Sequence, residues 1–180
     1  MVAALRFKPA FSWLEKTNMP ASGIELTEEA KQVCKKVFKE QIKGCRLMIK
    51  DEKCIIVEEG SIINNDQTFE NILEGFKREN FRYAVVNIGF TKADSVRASK
   101  MLVLKWAPDD GPRGGRTVTA LSWRGLIKSL DACIPVSMSD SADKCVDTVI
   151  QKLYSNEKVE IVEFEGRKLV KEDGVYEYKR

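Results

Sequence analysis

At 180 residues, with 43% apolar and 32% charged side chains, the chain fits one ordinary soluble domain and leaves little room for long disorder. Its formal charge of +3 is too small to mark a nucleic-acid binder, and the lack of histidine starves zinc sites and imidazole catalysis of ligands and bases. Five cysteines without a C-x-x-C read as free thiols of a reducing cytosol, and no apolar run approaches the ~20 residues of a membrane span.

Residues 1–21 carry apolar side chains without a sustained period and are broken by Pro9 and Pro20, so a mobile extension is expected there. Thr27 then caps a first helix, with Glu28 and Glu29 where the helix dipole favours negative charge and Ala30, Val33, Cys34, Val37 and Phe38 turned inward. Arg46–Ile49 and Cys54–Val57 predict a hairpin closed by a polar KDEK turn. Asp66 is expected to cap a second helix that buries Phe69, Ile72, Leu73 and Phe76. Tyr83–Phe90 and Met101–Trp106 are nearly continuous apolar runs, as expected of central strands covered on both faces, with TKADSVRASK as a polar connection between them.

WAPDDGPRGGRTVTALSWRGLIKSL, from Trp106 to Leu130, predicts a corner and then a long helix beginning near Pro112. On a helical wheel Ala120, Trp123, Ile127 and Leu130 form the inward stripe. Thr117, Leu121, Arg124 and Lys128 form an outward one, with Arg113 near its upper end. A basic face with an apolar residue set into it suits docking onto an acidic surface that offers an apolar pocket. Cys133–Met138 reads as a further strand. A helix over Ser141–Leu153 burying Ala142, Val146, Val149, Ile150 and Leu153 follows, then a hairpin over Lys158–Val170 turning at Gly166. The fold class is therefore α/β, one domain with a mixed sheet and helices on both faces.

ASGIELTEEA before the first helix, CIIVEEG, FRYAVVNI and above all WAPDDGP ahead of a basic helix resemble the actin-depolymerising factor/cofilin family. The resemblance spans roughly residues 22–153. It divides the chain into an extension (1–21), a homology domain (22–155) and a C-terminal hairpin or tail (156–180). What it implies is a non-enzymatic, cofactor-free, monomeric, cytoplasmic protein of the cytoskeleton. Such a protein binds monomeric and filamentous actin and promotes filament disassembly and severing.

Carried onto this sequence, the monomer-binding surface comprises Ser22, Gly23, Ile24, Arg113, Arg116, Thr117, Leu121, Arg124 and Lys128, and the filament surface Lys100 and Lys152. Ser22 stands where the family is phosphorylated, a change of roughly −1.5 to −2 charges beside an acidic partner. Phosphoinositide head groups would compete for the same cations. The chain also departs from the pattern. Gly114 and Gly115 precede Arg116 and Thr117 where two cations flanking a serine, then a methionine, are usual; Trp123 replaces a basic or polar residue; Ala98 and Ser155 replace filament-facing cations; and eighteen residues precede Met19. A filament-side binder or scaffold without disassembly activity is the alternative, and a nucleic-acid module a minor one. Among the cysteines Cys45, between Lys43 and Arg46, has the one mildly activating setting.

Overall fold

The structure, a computed structural model, describes residues 23–179. The expected extension and Ser22 lie outside them. Along the chain run β1 (Glu25–Leu26), α1 (Glu28–Phe38), β2 (Gly44–Lys50), β3 (Cys54–Val57), α2 (Phe69–Leu73), β4 (Arg82–Lys92) and β5 (Arg97–Trp106). They are followed by α3 (Gly115–Ser129), β6 (Ile134–Met138), a 3-10 turn (Ser141–Asp143), α4 (Val146–Glu157), β7 (Ile161–Phe164), β8 (Arg167–Glu172) and β9 (Val175–Tyr178).

The main sheet runs β1-β3-β2-β4-β5-β6, with β1/β3 and β5/β6 parallel and the other neighbours antiparallel. It is the mixed sheet the sequence predicts. β4 and β5 form its spine, in register from Arg82 opposite Trp106 to Thr91 opposite Arg97. β2 covers only the first half of the other edge of β4. The second half pairs with β7, from Phe90 opposite Phe164 to Lys92 opposite Ile161, and β8 and β9 continue from there.

Helices close both faces. On one, α1 and α3 bury Ala30, Val37, Leu126 and Leu130 against Leu47, Val85 and Val103. On the other, α2 and α4 bury Ile72, Ile150 and Leu153 against Ala84, Val86 and Leu104. Ile161, Phe164 and Tyr176 of the C-terminal meander join this second core, so residues beyond α4 are packed into the domain. Glu165 fastens the meander further: its carboxylate accepts from the Phe69 amide at the start of α2 (2.9 Å) and pairs with Lys43.

Local chemistry explains the ends of the elements. The Ala30 amide donates to Thr27 Oγ1 (3.3 Å), which caps α1 as expected. Phe38, expected inside, is 38% exposed at the last turn of that helix. The cap of α2 is Thr68 rather than Asp66, with the Thr68 amide donating to Asn71 Oδ1 (3.0 Å). TKADSVRASK is mostly strand, because the β4–β5 ladder runs on to Thr91 and Arg97. The helix expected from Ser141 is split. Asp140 and Asp143 cap a 3-10 turn that leaves Ala142 exposed, and α4 begins at Val146 and continues to Glu157.

Candidate functional site

α3 begins at Gly115, not near Pro112, and its N-cap Gly114 holds φ at 90°, a backbone state that favours glycine. The second glycine is forced by packing. A Cβ on Gly115 would lie 2.5 Å from the ring of Phe81, so position 115 has no space for a side chain. The cation usual in the resembling family falls at Gly114, where the backbone state at φ 90° favours glycine. Arg116 is exposed, but its guanidinium is turned back onto the WAPDD corner. There it donates to the carbonyls of Pro108 (3.2 Å) and Asp109 and pairs with the Asp109 carboxylate at 3.4 Å.

The inward stripe of α3 is rotated from the one the wheel predicts. Thr119, Ser122, Leu126 and Leu130 are buried, Trp123 and Ile127 are half-buried, and Ala120 is exposed. Two polar residues can face the core because Tyr83 satisfies them. Its hydroxyl donates to the Thr119 carbonyl (2.6 Å) and shares a second bond with Ser122 Oγ (2.7 Å). Burial pushes the Tyr83 phenol up to about 12, against the pull of the bonds to Ser122 and Thr119. Trp123 stacks on Tyr83 with centroids 5.7 Å apart, and the Lys105 ammonium lies 5.5 Å from the Trp123 ring. These contacts fix the rotation of the helix on the sheet.

What that rotation leaves outside is the expected stripe. Thr117, Arg124 and Lys128 are exposed, and Leu121 keeps 53% of its surface in solvent. Arg113 is exposed just ahead of the helix. Arg113, Arg124 and Lys128 form no ion pair with any described residue. The result is an exposed cationic ridge with an apolar centre. Gly23 is exposed with φ 68°, whereas Ile24 is only 7% exposed and packs in the same core as Leu126. The Ile24 side chain is thus a buried support rather than part of the open surface.

The filament-surface candidates lie elsewhere. Lys152 is exposed on α4, against the opposite face of the sheet from α3. Lys100, on β5, is 3.0 Å from Glu157, which also pairs with Lys92. Lys92, followed by burial acting the other way and then by Lys100, holds the Glu157 carboxyl below its usual range. Sequence reading missed Glu157 because it ended the last helix at Leu153. Periodicity continuing through Tyr154 was the available signal. Cys45 is fully buried, and the contact with Cys34, then burial, pushes its thiol well up, which removes the activating setting its neighbours implied.

Residues 23–154 match the sequence model of cofilin/tropomyosin-type actin-binding proteins. The chain belongs to this family. A curated relative, actin-depolymerizing factor 10 of Arabidopsis thaliana, is 26% identical over 135 residues, covering 72% of this chain and 93% of the relative. The fold is similar to that of ADF/cofilin from Trypanosoma brucei (TM-score 0.63, 19% identity, 77% of this chain and 99% of that one). It is equally similar to coactosin from Entamoeba histolytica (TM-score 0.63, 14% identity, 76% and 99%). The family is actin-binding and non-enzymatic. No described helix is long and apolar enough to cross a membrane.

Proposed function

We propose that this protein binds actin through the outer stripe of α3, engaging monomers and filament sides and promoting filament disassembly at the cytoskeleton. The observation that carries this reading is Leu121, 53% exposed and flanked by exposed Arg124, Lys128 and Thr117 on a helix whose rotation is locked from below. Long-range attraction of the cations steers the encounter with an acidic surface, and burial of Leu121 supplies about 1.5 kcal/mol of short-range affinity. Gly23 belongs to the sequence pattern of the family, Arg113 stands one position ahead of the pattern's missing cation, and Ser22, which precedes Gly23 in the sequence, is the site at which a phosphate would repel an acidic partner. A phosphoinositide head group would draw on Arg113, Arg124 and Lys128.

A second reading, a filament-side binder without disassembly activity, is favoured by two specific features. Gly114, at φ 90°, stands in place of a cation, and Glu157 pairs with Lys92 and Lys100. Cosedimentation with filamentous actin at two pH values separates the readings. Disassembly raises the soluble actin fraction, whereas a side binder pellets with filaments and leaves that fraction unchanged. Arg124→Ala/Lys128→Ala is expected to abolish most of the binding in either case, and unchanged binding at moderate salt would refute both.

A further inference from the structure

Between the first turns of α3 and the turn joining β2 to β3 lies a cleft of about 400 Å3. Ile49, Phe81 and Val118 give it apolar walls, and the exposed Asp51, Glu52 and Glu79 give it an acidic lip. Its lining cation, Arg82, is already engaged by Glu58 at 2.8 Å and by the Phe81 carbonyl at 3.0 Å. The three acids form no ion pair with any described residue. The group that suits this cleft carries cations around an apolar side chain.

The same helix presents such a group further along. Exposed Leu121 is followed by exposed Arg124 and Lys128, which also form no ion pair with any described residue. The cleft touches α3 at Gly115, Val118 and Thr119, in its N-terminal half, whereas the two cations stand in its C-terminal half. Leu121 lies roughly 9 Å along the axis from Gly115 and roughly 10 Å from Lys128. It therefore sits midway between an acidic, apolar receptor and a cationic prong. A straight helix holds the two apart within one copy. A second copy turned end for end brings each against its complement.

We infer that two copies of this chain associate about a twofold axis beside Leu121, with their α3 helices antiparallel. Arg124 and Lys128 of each copy face Asp51, Glu52 and Glu79 of the other, and the two Leu121 side chains close over the apolar walls near the axis. Gly125, one turn beyond Leu121, leaves room for the helices to approach. The contact is isologous, so pairing fills both clefts and adds no third copy. One helix and one cleft per copy bury less than the ~1,200 Å2 of a stable complex, so the dimer is transient and favoured by low salt. It also covers the outer stripe and so closes that stripe to actin. That consequence rests on the actin-binding reading; the association itself does not.

The test is sedimentation velocity of the full chain at low salt over a concentration series, without actin, so its outcome is independent of the actin-binding reading. The wild type should shift from monomer to dimer as concentration rises and stop there. Arg124→Glu/Lys128→Glu sets acid against acid, and Asp51→Asn/Glu52→Lys/Glu79→Lys sets cation against cation. Each variant alone should dimerise at least about tenfold more weakly than wild type. All five positions are exposed, so both variants should keep the wild-type unfolding midpoint. An equal mixture of the two should dimerise again, because each reversed ridge then meets a reversed lip. A wild type that stays monomeric throughout overturns the proposal, as does a mixture no more associated than its separate components. Growth beyond the dimer would mean an open head-to-tail chain and would overturn the twofold arrangement.

Discussion

The Tyr83 hydroxyl donates to the Thr119 carbonyl across 2.6 Å, tying the centre of the sheet to the helix that carries the exposed basic stripe. Removing that hydroxyl leaves the ring stacked on Trp123 and deletes only the polar link. Tyr83→Phe is expected to cost about 1 kcal/mol at neutral pH, read from urea unfolding.

The same phenol makes an alkaline prediction. An unfolded tyrosine ionises near 10.0, whereas burial raises Tyr83 to about 12. Between those values the unfolded chain has lost its proton and the folded one has kept it. The stabilisation is therefore whole below the lower value and is lost as pH rises through the upper. Stability of the wild type should fall more steeply than that of Tyr83→Phe from about pH 10 to pH 12. Parallel profiles would remove the phenol from the account.

Glu58 bridges Arg46 (2.6 Å) and Arg82 (2.8 Å) with all three side chains mostly buried. Burial alone would raise its carboxyl, but the two guanidiniums overcome that and hold it below its usual 4.5. Glu58→Gln leaves two poorly solvated cations without their counter-charge and should cost about 2–3 kcal/mol at pH 7. Because the folded value is depressed, this stabilisation exists above 4.5 and is lost as pH falls through the folded value. The gap between wild type and variant should narrow on acidification, as measured by urea midpoints.

Phe164 is fully buried and meets Phe69 edge-on at 5.9 Å. Phe164→Ala should therefore destabilise the whole domain by about 3–5 kcal/mol. A detachable tail would give almost no change in the unfolding midpoint.

Glu157 neutralises two lysines on the β4–β5 hairpin. If the hairpin meets filaments, Glu157→Gln should tighten filament binding about twofold to fivefold at low salt and steepen its salt dependence. Pelleting assays across a salt series read this, and a loss of binding would make Glu157 a contact instead.

Much of this architecture is legible in the sequence where apolar side chains alone decide burial. Ala30, Val33, Cys34 and Val37 face inward as their spacing requires, and the two central apolar runs became the spine of the sheet. The readings failed where a distant partner decides instead. Thr119 and Ser122 point inward only because Tyr83, more than thirty residues upstream, bonds to them, and this rotation turned Ala120 outward. TKADSVRASK is strand partly because β7, some seventy residues downstream, pairs with the end of β4. The outer stripe at Thr117, Leu121, Arg124 and Lys128 was legible, since nothing remote competes for it. The turning-back of Arg116 and the pairing of Lys100 were not, since each depends on an acid placed by the fold.

The central claim, that α3 docks through its outer face, is tested most directly by the affinity of Leu121→Asp for labelled monomeric actin. An exposed position should leave stability within about 0.5 kcal/mol of wild type. A buried aspartate at the interface should lower affinity by at least about tenfold. An affinity equal to that of wild type, with the fold intact, would contradict the account.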